Sequence, residues 1–188
     1  MKNIITTLLL IASISSYAQI TLENIYPTGS IINKDYIRLV KLSSSGYKYA
    51  ENSDSVLTLY NLNHTVFRTI PIPPCPYGLI SSSGVVVRTY YISEELFNTN
   101  PVDIEYLLFY TDPATIGHVI VYNETGTVLF SKDTVSFAGS TTGYLNEDFI
   151  SYTPSGCKMI MSHRYSGAAF VYSLPGFLPC HDCTGGIT

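Results

Sequence analysis

The chain has no tryptophan and few charged residues, which make up only 13% of its 188 residues. It has little of the lysine- and glutamate-rich signature of disorder, so we expect a folded domain. The net charge at pH 7 is −4, and nucleic-acid binding depends on a basic surface, so the composition argues against a nucleic-acid partner. After residue 18 no apolar run approaches the length of about 20 residues that a membrane-spanning helix needs.

The motifs of common enzyme classes are missing as well. The sequence has no Gly-x-Ser-x-Gly nucleophile elbow, no glycine-rich phosphate loop before a helix and no metal-site spacing among its four histidines. Glu94/Glu95 and Glu147/Asp148 are neighbours in sequence, so on a strand their side chains would diverge rather than face one another as in glycosidases. We therefore predict no catalytic residue, no metal site and no cofactor.

The first 18 residues have the pattern of a secretory signal peptide. Lys2 gives a positive start, residues 4–14 are mostly apolar, and Ser16 and Ala18 are small residues placed for cleavage before Gln19. The pattern predicts export and no membrane span after cleavage. It divides the chain into a signal peptide at 1–18, a single domain at 19–179 and a Cys-x-x-Cys tail at 180–188.

After the signal peptide, helical periodicity is nearly absent. Short β-branched and aromatic runs separated by Gly, Pro, Asn and Ser are typical of an antiparallel all-β fold. One helical turn is predicted at 93–97, where Ser93 would be the N-cap. The predicted strands are 36–42, 56–61, 65–70, 85–91, 104–111, 118–123, 127–132, 149–153, 158–163 and 168–173.

One hairpin sequence recurs within the chain. The pattern Tyr-Asn-x-x-x-Thr-Val stands at 60–66 and again at 122–128, and a degenerate third copy stands at 170–176. The recurrence predicts antiparallel meanders in about three propeller-blade-like repeats. The recurrence could also be the resemblance that any two hairpins with Asn turns share. In that case the alternative to propeller-like repeats is a β-sandwich or a barrel.

The four cysteines are Cys75, Cys157, Cys180 and Cys183. An even number in an exported chain favours disulfides, and of the three possible pairings we prefer Cys75 with Cys157 and Cys180 with Cys183. A redox or zinc function of the Cys-His-Asp-Cys tail is disfavoured, because no helix pattern follows the tail and no second cysteine pair completes a ligand set.

Tyrosine is abundant, with 16 residues. Tyr91, Tyr106, Tyr110 and Tyr122 come from neighbouring predicted strands, so they are candidates for a ring-stacking face that binds a glycan or a protein. The alternative is that these rings fill cross-strand pairs of the sheet.

The Tyr17-Ala18-Gln19 junction, the Tyr-Asn-x-x-x-Thr-Val hairpins and the tail Tyr-Ser-Leu-Pro-Gly-Phe-Leu-Pro-Cys-His-Asp-Cys at 172–183 resemble the N-terminal region of secreted Bacteroidota proteins. Such proteins usually carry a type A sorting domain of the type IX secretion system, and none follows residue 183 here. The resemblance implies secretion or a cell-surface location, with the periplasm as the alternative. Asp-Ser-Val at 54–56 and Asp-Thr-Val at 133–135 look like the O-glycosylation motif of these proteins, which makes Ser55 and Thr134 candidate glycosylation sites.

These observations predict an exported, non-catalytic β-rich module that binds a protein or a glycan at the cell envelope or outside the cell. Two alternatives remain open at this point. The first alternative is a structural or truncated stub of a larger type IX-secreted protein. The second is a secreted hydrolase with an unrecognised site.

Overall fold

A computed structural model describes residues 21–26, 37–53, 55–76, 86–100, 102–111, 117–136, 150–163 and 165–177. The predicted signal peptide and the tail cysteines Cys180 and Cys183 lie outside these residues. The described part consists of antiparallel strands without a helix, which confirms the all-β class. The strands are β1 (Arg38–Leu42), β2 (Gly46–Asn52), β3 (Val56–Tyr60), β4 (Val66–Pro71), β5 (Val86–Ser93), β6 (Glu105–Thr111), β7 (Gly117–Asn123), β8 (Val128–Ser136), β9 (Ile150–Thr153), β10 (Gly156–His163) and β11 (Ala169–Ser173).

Each predicted strand has a counterpart in the structure, but β2 was not predicted. Its sequence, Gly-Tyr-Lys-Tyr-Ala-Glu-Asn, contains residues that are depleted in strands, so its intrinsic preference is weak. The helical turn expected at 93–97 is also not seen. The Ser93 hydroxyl does accept hydrogen bonds from the backbone N–H groups of Glu95 and Leu96, as an N-cap would, but bends follow instead of a helix.

The strands form two sheets. The first sheet has the order β1-β2-β3-β4, and the second, seven-stranded sheet has the order β11-β10-β8-β7-β6-β5 with β9 beside β10. The second sheet is curled into a half-barrel. Because β5 to β11 belong to one sheet, the structure does not show three separate propeller-like blades.

The two sheets pack face to face around a first core. Alternate residues of the first sheet, such as Leu57 and Leu59, meet alternate residues of β6 and β7, such as Leu108 and Ile120. A second core fills the inside of the curl, where Leu107 and the other face of β7 meet apolar side chains of β10. Both faces of β6 and β7 are therefore buried, which explains why these strands are almost continuously apolar.

Polar contacts also join the sheets. The Glu94 carboxylate, which follows β5, accepts hydrogen bonds from the backbone N–H groups of Ser44 and Ser45 at 2.6 and 3.1 Å and from the Ser43 and Ser45 hydroxyls. These serines form the turn between β1 and β2.

A second polar contact involves β4, the opposite edge strand of the first sheet. The Arg68 guanidinium on β4 donates to both carboxylate oxygens of Glu124, which lies in the turn between β7 and β8. Together with the apolar core, these contacts fix the orientation of the first sheet on the second.

The recurring hairpin sequence forms the same turn twice. In the β3–β4 hairpin the Asn61 N–H donates to the Thr65 carbonyl, and in the β7–β8 hairpin the Asn123 N–H donates to the Thr127 carbonyl. Each turn has one residue of positive φ at the same place, namely His64 at 67° and Gly126 at 82°. The third copy is not a hairpin, since after β11 the chain leaves the sheet and the Gly176 N–H donates to the carbonyl of Leu96.

Candidate functional site

Three of the four tyrosines proposed for ligand binding lie in the core. Tyr106, Tyr110 and Tyr122 are 0%, 1% and 4% exposed and belong to the cluster between the two sheets. Tyr106 and Tyr122 are cross-strand partners whose ring centroids are 5.8 Å apart. Burial raises the pKa of Tyr106 to about 12. These rings therefore do not form a solvent-facing platform, and Tyr106 and Tyr122 form a cross-strand pair in the core instead.

Tyr91 lies apart from that group. It packs half-buried against the second core, and its hydroxyl accepts a hydrogen bond from the backbone N–H of Ile150 at 3.4 Å. Tyr91 thus joins β5 to β9 and is not brought together with the other three tyrosines on a common face.

The preferred disulfide between Cys75 and Cys157 is not formed in the structure. Cys75 packs against the core between the sheets, whereas Cys157 is buried in the core inside the curl. The second sheet separates the two cores, so the cysteines do not meet. The pairing of Cys180 with Cys183 lies outside the described residues and stays a prediction.

The two candidate glycosylation sites differ in their surroundings. Ser55 is exposed just before β3. Thr134 lies within β8, where it is half-buried and has a φ of 59°. The register between β7 and β8 shifts at this point, so Thr134 sits in an irregularity of the sheet rather than in an open loop.

A different group of rings lies on the outer face of the first sheet. In β2 the side chains of Lys48 and Ala50 are buried, so Tyr47, Tyr49 and Glu51 point the other way, to the outside. Tyr60 on β3 is the direct cross-strand partner of Tyr49. We call the side chains of Tyr47, Tyr49, Tyr60 and His64 the aromatic surface.

Two rings of this surface are stacked on one another. The imidazole of His64, in the β3–β4 turn, stacks on the ring of Tyr49 with centroids 5.4 Å apart and planes 9° from parallel. The positive φ of His64 belongs to the left-handed region, which histidine adopts more readily than β-branched residues do. The turn geometry therefore helps to bring the imidazole back over the sheet.

Charged side chains lie beside the rings. The Tyr60 hydroxyl donates to Oε2 of Glu51 at 2.7 Å. Burial, together with this hydrogen bond and the negative charge of Glu51, raises the pKa of Tyr60 to about 12. On the far side of the surface, the ammonium group of Lys41 lies 5.6 Å from the ring centroid of Tyr47. The surface thus offers apolar ring faces, a hydroxyl and charges of both signs.

Residues 21–26 lie against this surface. The Tyr26 ring meets the Tyr60 ring edge-on at 4.9 Å, and the Tyr26 hydroxyl is 2.8 Å from Nδ1 of His64. Oε2 of Glu23 is 3.7 Å from Nε2 of the same imidazole. A tyrosine and a glutamate of the same chain are therefore examples of side chains that fit this surface.

Sequence reasoning missed this surface because it missed β2. A signal was nevertheless present, since 47–51 reads Tyr-Lys-Tyr-Ala-Glu, with both tyrosines at positions of the same parity. What the sequence did not reveal is that Tyr49 would stand opposite Tyr60 and that His64 would fold back onto it.

Among the described residues, no group of three or more His, Cys, Asp and Glu side chains is arranged to hold a metal ion. Nor does that part of the chain contain a helix of the length and apolarity needed to cross a membrane. Comparison of the chain with models of protein families, with curated proteins and with solved structures gives no match. The geometry of the aromatic surface is therefore the basis of the functional argument.

Proposed function

We propose that the chain is an exported, non-catalytic module that binds a protein or a glycan at the cell envelope or outside the cell. The signal-peptide pattern of residues 1–18 supports export. The observation that carries the binding function lies on the outer face of the first sheet, where His64 stacks on half-exposed Tyr49 beside its cross-strand partner Tyr60.

The chemistry of the aromatic surface suits such a ligand. Tyrosine combines a large apolar face with a hydroxyl, and it is enriched at protein interfaces for that reason. Glu51 and the Tyr60 hydroxyl that donates to it form a polar rim that favours ligands rich in hydrogen-bond donors, such as sugar hydroxyls, peptide N–H groups or ammonium groups. A core at the opposite face of the sheet holds the strands rigid, so the rings are preorganised for contact.

The test is a binding screen with the exported chain against a glycan panel and purified envelope proteins. We expect a saturable interaction that weakens at least about tenfold in Tyr49→Ala, in line with the loss of an aromatic hot spot. The matched control is Tyr152→Ala, because Tyr152 is 60% exposed on β9 in the other sheet.

Circular dichroism would establish that both variants keep the fold. An interaction that Tyr49→Ala leaves intact and Tyr152→Ala removes would place the ligand elsewhere and contradict the proposal. The absence of any saturable ligand across a broad panel would contradict the binding function itself.

A further inference from the structure

Two polar groups of residues 21–26 lie beside one side chain of the aromatic surface, that of His64. The Tyr26 hydroxyl lies 2.8 Å from Nδ1 of His64, and the Glu23 carboxylate lies 3.7 Å from Nε2 of the same ring. The Tyr26 ring also lies 6.1 Å from the ring of Tyr49. A tyrosine and an acidic residue three positions before it thus engage both nitrogens of one imidazole.

The rest of this segment is held loosely. Leu22 and Ile25 are 78% and 72% exposed, and residues 21–26 belong to no strand. The carboxylate of Glu23 is itself 68% exposed, and ion pairs of such exposed groups contribute little to stability. The segment is therefore attached mainly through one ring, which makes it displaceable by a competing ligand.

We infer that the aromatic surface recognises peptide segments in which an acidic residue stands three positions before a tyrosine, and that residues 21–26 occupy it in cis until a segment of another protein displaces them. The inference rests on the proposed function, because it names the ligand class and the regulation of the same surface. It favours a peptide over a glycan, since the occupant present in the structure is a peptide that places a hydroxyl beside one ring nitrogen of His64 and a carboxylate near the other.

Occupation in cis has a quantitative consequence. A segment tethered within the same chain competes at an effective concentration on the order of millimolar. A free peptide must overcome this competition, so the intact chain binds it more weakly than a chain whose own segment cannot dock. Removing the Tyr26 ring is therefore expected to increase the affinity for ligands in solution.

The test uses the full exported chain with Tyr26→Ala and the synthetic hexapeptide Thr-Leu-Glu-Asn-Ile-Tyr, which has the sequence of residues 21–26. Isothermal titration is expected to show binding at least about tenfold tighter than to the unchanged chain. A peptide with alanine in place of its tyrosine is the control and is expected not to bind. Equal affinity for both chains, or no binding by the folded Tyr26→Ala chain, would overturn the inference.

A second measurement needs no ligand. Modification of histidines by diethylpyrocarbonate, located by mass spectrometry, is expected to be several-fold faster at His64 in Tyr26→Ala than in the unchanged chain. His118 and His163 lie on strands of the second sheet and are internal controls whose rates should not change. An unchanged rate at His64 would show that the segment does not occupy the surface and would overturn occupation in cis.

The two proposals fail in different ways. A glycan that binds through Tyr49 while the hexapeptide does not bind to Tyr26→Ala would retain the proposed function and overturn the peptide inference. Failure of every ligand, including the hexapeptide, would overturn both.

Discussion

At the scale of single residues, two buried glutamates accept hydrogen bonds from backbone N–H groups. Glu94 is held by the serine turn between β1 and β2, and Glu105, which is 0% exposed, accepts from the N–H of Phe97 at 2.8 Å. Burial alone raises a carboxyl pKa, and hydrogen bonds to the charged form lower it. For Glu105 burial prevails and the pKa is raised, whereas for Glu94 the hydrogen bonds from the serines outweigh burial and the pKa is lowered.

The lowered pKa of Glu94 predicts a specific pH dependence. Its stabilising contribution is complete above the ordinary glutamate value of 4.5 and is lost as the pH falls through the lower folded-state pKa. We expect Glu94→Gln to lower the free energy of unfolding at neutral pH by about 2 kcal/mol. The loss of stability between about pH 7 and about pH 3 should be smaller in this variant than in the unchanged chain.

Urea unfolding at both pH values measures this difference. Glu95→Gln is the matched control, because it removes the same charge from the next residue without disturbing the serine turn. If Glu94→Gln and Glu95→Gln show the same stability and the same pH dependence, the serine turn does not hold the ionised carboxylate.

The tyrosines provide a second prediction at this scale. Tyr106→Ala leaves a cavity between the sheets and is expected to lower the free energy of unfolding by about 3–5 kcal/mol. Tyr49→Ala removes a half-exposed ring from the outer face and is expected to cost about 1 kcal/mol. Chemical denaturation of both variants measures the contrast, and similar losses would show that Tyr106 is not a core residue.

At the scale of elements, backbone geometry distinguishes positions that look alike in sequence. The β3–β4 and β7–β8 hairpins have equivalent turns. The turn position of positive φ is occupied by a histidine in the first hairpin and by a glycine in the second. Thr134 also has a positive φ, but within a strand, where a β-branched residue in the left-handed region is strained. Gly117 is constrained by packing instead, since a Cβ there would clash with the carbonyl oxygen of Val135.

This geometry predicts opposite effects for two glycine substitutions in β8. Thr134→Gly relieves a left-handed strain of about 1–2 kcal/mol and should be neutral or stabilising. Ser131→Gly adds chain entropy to the unfolded state without relieving strain, and it should cost about 0.5–1 kcal/mol. Thermal unfolding of the two variants tests the contrast, and a loss of stability in Thr134→Gly as large as that in Ser131→Gly would refute the strain argument.

At the scale of the whole molecule, polar contacts at the edges of the first sheet add to the apolar core that joins the two sheets. The Arg68–Glu124 pair lies at the edge of the core, with side chains 38% and 17% exposed. Because both groups are partly buried and the contact involves both carboxylate oxygens, the pair should contribute more than a fully exposed one.

A double-mutant cycle measures this contribution. Arg68→Ala, Glu124→Ala and the double variant are expected to give a coupling free energy of about 1 kcal/mol that decreases with added salt. Lys41→Ala is the control, because Lys41 is a cation on the outer face of the first sheet, where its ammonium group lies near the ring of Tyr47. A coupling of zero would mean that the pair does not help to hold the sheets together.

The local pattern of the chain accounts for much of the fold. Short β-branched and aromatic runs with turn residues between them predicted the all-β class and every strand except β2, because period-two alternation and turn chemistry act over a few residues. The same reasoning recognised that the segments around Asn61 and Asn123 form equivalent hairpins. The failure at β2 has a physical cause, since pairing with β1 and β3 stabilises a segment whose own preference for a strand is weak.

Only the tertiary structure decided which side of each sheet faces solvent, and this decided the candidate site. Tyr106 and Tyr49 are both strand tyrosines, yet one packs between two sheets and the other lies on an outer face. The difference depends on how the sheets stack and how the second sheet curls, and contacts between residues distant in sequence determine both. The sequence by itself thus determined the described strands other than β2, together with their turns. The pairing of Tyr49 with Tyr60, the return of His64 onto them and the separation of Cys75 from Cys157 follow from long-range packing, which no local pattern encodes.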